Sequence, residues 1–192
     1  MIYFLYGQDT YRSKEELRRM IEKNKKQPAQ GLPAGKAGGQ VWFDFVRIDA
    51  SDKQIDIFEE LKKTANTISM FSATKMMIIE NIFDLNNDKQ REILEFLKKS
   101  KIDKDENTTI VFWADEIEAK NELFKYLQSK AECKEFKLLE PAKIKQWIKE
   151  FIVNQKASIN NSAVEKLAEW VGNDLWRMSN ELNKLIAYNP TI

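Results

Sequence analysis

MIYFLYGQDTYRSKEEL, residues 1–17, joins an apolar run to a glycine and then to a helix-like stretch. Residues 2–6 read as a strand and Gly7 as its turn. Residues 13–24 read as a helix with a capping box, Ser13 with Glu16, and a stripe of Leu17, Met20 and Ile21. Strand, glycine loop and helix is how a phosphate-binding P-loop begins. Whether this loop has the chemistry as well as the shape decides how the chain is read.

The same alternation continues outward. Further strands are predicted at 43–49, 76–80, 109–113 and 135–139. Helical spacing recurs in Ile55, Phe58, Leu61, Ala65 and Ile68, then in Ile93, Leu94 and Leu97, then in Leu123, Phe124 and Leu127. Strands alternating with amphipathic helices predict an α/β layer structure with a mainly parallel sheet. Pro141 marks a change to helices alone. Ile144, Trp147, Ile148, Phe151 and Ile152 share one face. A second capping box is expected at Ser162 and Glu165, on a helix that carries Val164, Leu167, Ala168 and Val171 and stops at Gly172. A third helix carries Leu175, Met178, Leu182, Leu185 and Ile186. The expected domains are 1–140, α/β, and 141–192, helical.

Residues 23–40, KNKKQPAQGLPAGKAGGQ, hold two of the four prolines and four of the six glycines. They read as a flexible surface loop with little to bury, and Lys23, Lys25, Lys26 and Lys36 offer a transient phosphate contact.

Composition excludes several chemistries. The 192 residues contain no histidine, which removes Ser-His-Asp and Cys-His nucleophile systems and the usual zinc sites. The single cysteine, Cys133, cannot form an intramolecular disulfide and fits a reducing cytoplasm. No apolar run approaches the roughly 18 residues of a membrane span, and no signal-peptide pattern precedes the first strand. A net charge of +1 argues against holding nucleic acid by bulk electrostatics.

A working P-loop, GxxxxGK[ST], needs its second glycine for close approach of backbone N–H groups. Its lysine serves the outer phosphates and its hydroxyl serves magnesium. Counting from Gly7, those places are held by Arg12, Ser13 and Lys14. All three fail. Asp9, Glu15 and Glu16 also place negative charge beside the helix N-terminus that would receive a triphosphate. A second stretch, IVFWADE at 110–116, ends in Asp115 and Glu116, as an ATPase strand that holds magnesium would. It lies on the fourth strand, however. The third strand, where ATPases carry that motif, ends at Glu80 and Asn81. Asp115 and Glu116 therefore read as a strand exit and the start of a helix near Ala119.

FLYGQDTYRSKEEL, RIDA, TANTISMFSATKMMIIEN, TTIVFWADE and GNDLWRMSNELNKLIAY, in that order and spacing, resemble the delta subunit of the bacterial DNA polymerase III clamp loader. The resemblance covers nearly all of the chain outside 23–40. It implies an AAA+ fold: an α/β domain, a three-helix lid and a collar expected beyond Ile192, so that the chain reads as a fragment or a short member. Without a collar it should lose most of its ability to join the loader.

Delta subunits neither bind nor hydrolyse ATP, so no cofactor and no intrinsic catalysis are implied, only membership of the nucleotidyltransferase complex. Two further places agree. Leu175 stands where the lid of an ATP-binding relative has an arginine, and Arg177 is two residues late, about 200° around a helix. Ala131, Glu132 and Cys133 stand where loader ATPases have Ser-Arg-Cys, and an acid cannot stabilise a developing phosphoryl charge. The implied partners are the beta sliding clamp, the gamma/tau and delta-prime subunits and, through the assembled complex, primed DNA in the cytoplasm.

The family meets the clamp through a helix end with a Ser-Leu-Phe-like sequence. The matching residues are Ser69, Met70 and Phe71, preceded by Asn66, Thr67 and Ile68. Glutamine is frequent in the family where this chain has the shorter Asn66. Periodicity alone gives Phe71 another use, because it continues the core stripe of Phe58, Leu61, Ala65 and Ile68. Met70 leaves that stripe by about 100°.

Three other readings stay open from sequence. They are a P-loop-type NTPase using Lys14 with Asp115 and Glu116, a nucleic-acid module using the basic loop and exposed aromatics, and an AAA+-like scaffold with another partner.

Overall fold

Alternation along the strands divides the core into two faces. The computed structural model describes residues 1–25, 44–66, 75–100, 102, 105, 108–115, 117 and 120–192. Its strands are β1 (Ile2–Tyr6), β2 (Asp44–Asp49), β3 (Lys75–Glu80), β4 (Thr108–Ala114) and β5 (Glu132–Glu135). They form one sheet in the order β2-β3-β4-β1-β5, with every pairing parallel. Ile2, Phe4, Met77, Ile79, Ile110 and Phe112 point to one face. Leu5, Met76, Ile78, Val111 and Trp113 point to the other. A side-chain period of two leaves no other arrangement once both faces are covered.

Helices α2 (Ile57–Asn66), α3 (Asn87–Ser100) and α4 (Glu122–Lys130) cover the first face through Leu61, Ile93, Leu97, Leu123 and Leu127. Helix α1 (Thr10–Lys25) covers the second through Leu17, Met20 and Ile21. The chain from β1 thus leaves to one face and the chain from the adjacent β4 to the other, so their carboxyl ends form the crevice where open α/β sheets bind ligands.

The chain divides into two compact units, Met1–Phe136 and Lys137–Ile192. The division falls before Pro141 rather than at it, because Phe136 is still buried in the first unit. The second unit is α5 (Pro141–Asn154), α6 (Asn161–Val171) and α7 (Leu175–Tyr188). It packs Ile144, Ile148, Ile152, Val164, Leu175, Met178 and Leu182. Residues Ser158 and Thr191 form a parallel bridge that ties the end of the chain to the α5–α6 connection.

Several sequence expectations are corrected. Both capping boxes fail. Asp9 caps α1, its Oδ1 accepting the Arg12 N–H at 3.0 Å, so Ser13 lies inside the helix. Asn160 caps α6, its Oδ1 accepting the Ala163 N–H at 2.8 Å. In each case an Asp or Asn stands upstream of the serine and takes the N-cap first. Glu16 pairs with Lys134 instead, and Glu165 with Lys145.

Helix α4 starts at Glu122, capped by Asn121, not near Ala119. Strand β5 is Glu132–Glu135, not 135–139. All four of its residues are exposed, so backbone pairing to β1 places it and no apolar pattern announces it. Residues 23 and 24, read both as the end of the helix and as the start of the loop, belong to α1, which runs on to Lys25; 26–40 lie outside the described residues. No described helix is long and apolar enough to cross a membrane.

Candidate functional site

The crevice at the carboxyl ends of β1 and β4 holds the phosphate-loop candidates Gly7, Arg12, Ser13 and Lys14. Gly7 has φ of 122°, a conformation that side chains rarely adopt, and a Cβ there would stand 2.5 Å from the Phe136 carbonyl oxygen. Glycine is required by the protein's own backbone. It leaves no gap for a ligand.

The loop's N–H groups are directed inward. Gly7 N–H donates to Ala114 O at 3.1 Å, Asp9 N–H to Phe136 O at 2.9 Å, Thr10 N–H to Gln8 O at 3.0 Å and Ser13 N–H to Asp9 O at 3.2 Å. The Arg12 N–H is taken by the Asp9 carboxylate, and Arg12 Nε returns to Asp9 Oδ2 at 2.6 Å. A phosphate cradle works by offering such donors to a ligand. Here five of them already have protein acceptors, and the buried Asp9 carboxylate sits at the helix N-terminus, where a phosphate oxygen would be drawn.

Ser13 is fully buried, its hydroxyl donating to Thr10 O at 3.1 Å and accepting from Trp113 Nε1 at 2.9 Å. Lys14 lies over the Trp113 ring, 3.6 Å from its centroid, and its Nζ is 2.7 Å from Glu80 Oε2. The other Glu80 oxygen takes Arg47 through Nε at 2.9 Å and a terminal nitrogen at 2.7 Å. Glu80 ends β3, the strand whose end holds magnesium in P-loop ATPases. In this chain it is 6% exposed and bracketed by two cations. Lys14, Arg47 and Glu80 thus strap α1, β2 and β3 together.

Beside the strap, Asn81 adopts φ of 57°, donating its N–H to Trp113 O at 2.9 Å and its amide to Asp49 Oδ1 at 2.9 Å. Partial burial pushes the Asp49 carboxyl up. The Ser51 backbone and hydroxyl, the Asn81 amide and the Lys14 charge outweigh that and hold it below its ordinary range. A carboxyl depressed in the folded chain contributes stability above its unfolded pKa and loses it as pH falls through the folded value. Asp49→Asn is therefore expected to flatten the loss of thermal stability below about pH 4. A Tm-versus-pH series checks this; a curve unchanged from the parent's would remove Asp49 from the acid response.

The remaining candidates separate. Asp115 is exposed just beyond β4, and Glu116 lies outside the described residues. Leu175 is buried in the helical unit, and the Arg177 N–H donates to the Asp174 cap at 3.0 Å. Ala131 closes α4, Glu132 begins β5 exposed, and burial pushes the Cys133 thiol up. Asn66 is the last residue of α2. Thr67, Ile68, Ser69, Met70 and Phe71 lie outside the described residues, as do Lys26 and Lys36; Lys23 and Lys25 belong to α1.

The departures at Arg12, Ser13 and Lys14 were legible in the sequence; the strap was not. Its only sequence signal is a carboxylate ending an apolar strand, MMIIE, with RID on the neighbouring one.

No family model matches the chain, and no curated protein matches its sequence. Solved structures do. The chain is similar to the Bacillus subtilis DNA clamp loader delta protein (YqeN), at 19% identity and a TM-score of 0.61, over 100% of this chain and 55% of that one. It is also similar to domain III of the Thermotoga maritima replication initiation protein DnaA, at 13% identity and 0.57, over 97% and 75%. A third is a Thermotoga maritima DNA polymerase III gamma subunit-related protein, at 17% identity and 0.53, over 96% and 53%. The chain thus spans about half the length of the delta protein. The fold is AAA+-like: a five-stranded parallel sheet flanked by helices, followed by a small helical unit.

Proposed function

We propose that this chain acts as the clamp-binding part of a clamp-loader delta-type subunit in DNA replication. It binds the beta sliding clamp, holds one interface of the ring open, and uses no nucleotide of its own. The observation that carries the reading is an AAA+-like crevice whose phosphate-loop donors, and whose Lys14, are engaged within the protein. Such a crevice has the architecture of an ATPase, with its donors and its lysine already paired inside the protein. The choice of the clamp as partner is supported by the sequence NTISMF, residues 66–71, whose first residue is the last of α2, together with the likeness to a delta protein.

The mechanism needs no catalytic residue. Met70 and Phe71 are the anchors for an apolar pocket on the clamp, with Asn66, Thr67, Ile68 and Ser69 beside them. If they bind a distorted ring interface more tightly than a closed one, that difference opens the ring. Hydrolysis of ATP belongs to neighbouring loader subunits. The same reading implies assembly with gamma/tau and delta-prime subunits, and contact with primed DNA through the assembled complex.

A clamp labelled with a donor and acceptor across one interface provides the test. Saturating chain is expected to lower energy transfer at that interface, with or without nucleotide. Unchanged transfer at saturation would reduce the role to binding. A fluorescent ATP analogue with magnesium should show no saturable binding; saturation would restore the NTPase reading.

A further inference from the structure

We propose that Lys75 is a positioning residue for the clamp contact, holding the last turn of α2 in place from the first residue of β3. This rests on the clamp reading above. Lys75 acts through the backbone and touches no partner itself.

The last four carbonyls of an α-helix have no partner inside it. In α2 these belong to residues 63–66, and the Lys75 Nζ donates to one of them, Thr64 O, at 3.2 Å. A cation suits that place, because the carboxyl end of a helix carries partial negative charge. The helix's own lysines are used elsewhere: Lys62 pairs with Glu59 and Lys63 with Glu60. Among the described residues Lys75 makes no ion pair, although Asp44 stands beside it in the β2–β3 register. The Thr64 carbonyl is therefore the partner that its charge serves.

The apolar hold on α2 lies earlier, at Ile57 and Leu61, both buried. The lysine bond is a polar tie on the final turn. It joins the residue before 65–74 to the residue after it, and that stretch contains the proposed anchors Met70 and Phe71. Fixing both ends of a stretch before it binds reduces the ordering that binding must otherwise supply. The β3 pairing and the core contacts of α2 do not depend on this bond. Loss of the tie is thus expected to appear in affinity more than in stability.

The intact chain is titrated with a bacterial clamp as parent, Lys75→Met and Lys75→Arg, with Tm and amide exchange measured on each free protein. Lys75→Met keeps the aliphatic stem and removes the donor. It is expected to weaken binding about fivefold, to hold Tm within about 3 °C of the parent's, and to speed exchange at the end of α2. Lys75→Arg returns a cationic donor and should bring affinity back to within about twofold of the parent's. If Lys75→Met does not fold, Lys75→Gln takes its place. Parent-like affinity in the uncharged variant, unchanged exchange at the end of α2, or a loss that Lys75→Arg does not repair overturns the positioning role and leaves the clamp reading standing. No binding by the folded parent overturns both.

Discussion

Replacing Met70 and Phe71 together by alanine is expected to weaken binding to a bacterial sliding clamp roughly a thousandfold while leaving thermal stability near the parent's. An aromatic and a methionine seated in a preformed apolar pocket are each worth about 2 kcal/mol or more as hot spots, and about 4 kcal/mol is roughly three decades in Kd. The rival use of Phe71, as one more residue in the stripe of Phe58, Leu61 and Ala65, predicts the reverse pattern. A core phenylalanine cut to alanine costs about 3–5 kcal/mol of stability and leaves affinity alone once the fraction folded is corrected. Measuring Kd and Tm on the same preparation separates the two: loss of affinity supports the anchor, and loss of Tm with parent-like affinity places Phe71 in the core.

A second large effect is expected at the strap. Lys14→Met/Arg47→Met leaves the Glu80 carboxylate buried with both close cations gone. An uncompensated buried charge costs about 3–5 kcal/mol. The lower end applies here, because Arg47 is half exposed and water screens part of its charge. Adding Glu80→Leu to that pair removes the stranded charge and should recover most of the loss, as apolar replacement of buried ion pairs does elsewhere. Urea unfolding of the three proteins decides it. If the double variant loses less than about 1 kcal/mol, or if Glu80→Leu does not repair it, the three residues are not an energetic unit.

The strap also shows where a sequence stops being legible. Apolar runs announced β1, β3 and β4, which are buried along most of their length, while β2 is mostly exposed and is marked only by the alternation of Val46 and Ile48. β5 has no such signal. Glu132, Cys133, Lys134 and Glu135 are all exposed, and their place is set by backbone pairing with Tyr3 to Tyr6. The two capping boxes matched a pattern and still failed. Asp9 and Asn160, standing upstream, cap their helices before Ser13 or Ser162 can.

At the crevice, the missing glycine and the misplaced lysine could be counted from Gly7. The pairing of Lys14 and Arg47 with Glu80 could not. Lys14 and Glu80 are far apart in the chain, and only the parallel register brings Arg47 beside them. The proposed clamp contact is drawn from NTISMF and from likeness of fold, and residues 67–71 lie outside the described residues.

The most direct measurement is an equilibrium titration of this chain against a bacterial sliding clamp, run with and without magnesium and ATP. Saturable binding with the same Kd in both conditions is expected, since no part of the proposed contact depends on a nucleotide held by this chain. Absence of binding by the folded protein, or binding that appears only with ATP, would contradict it.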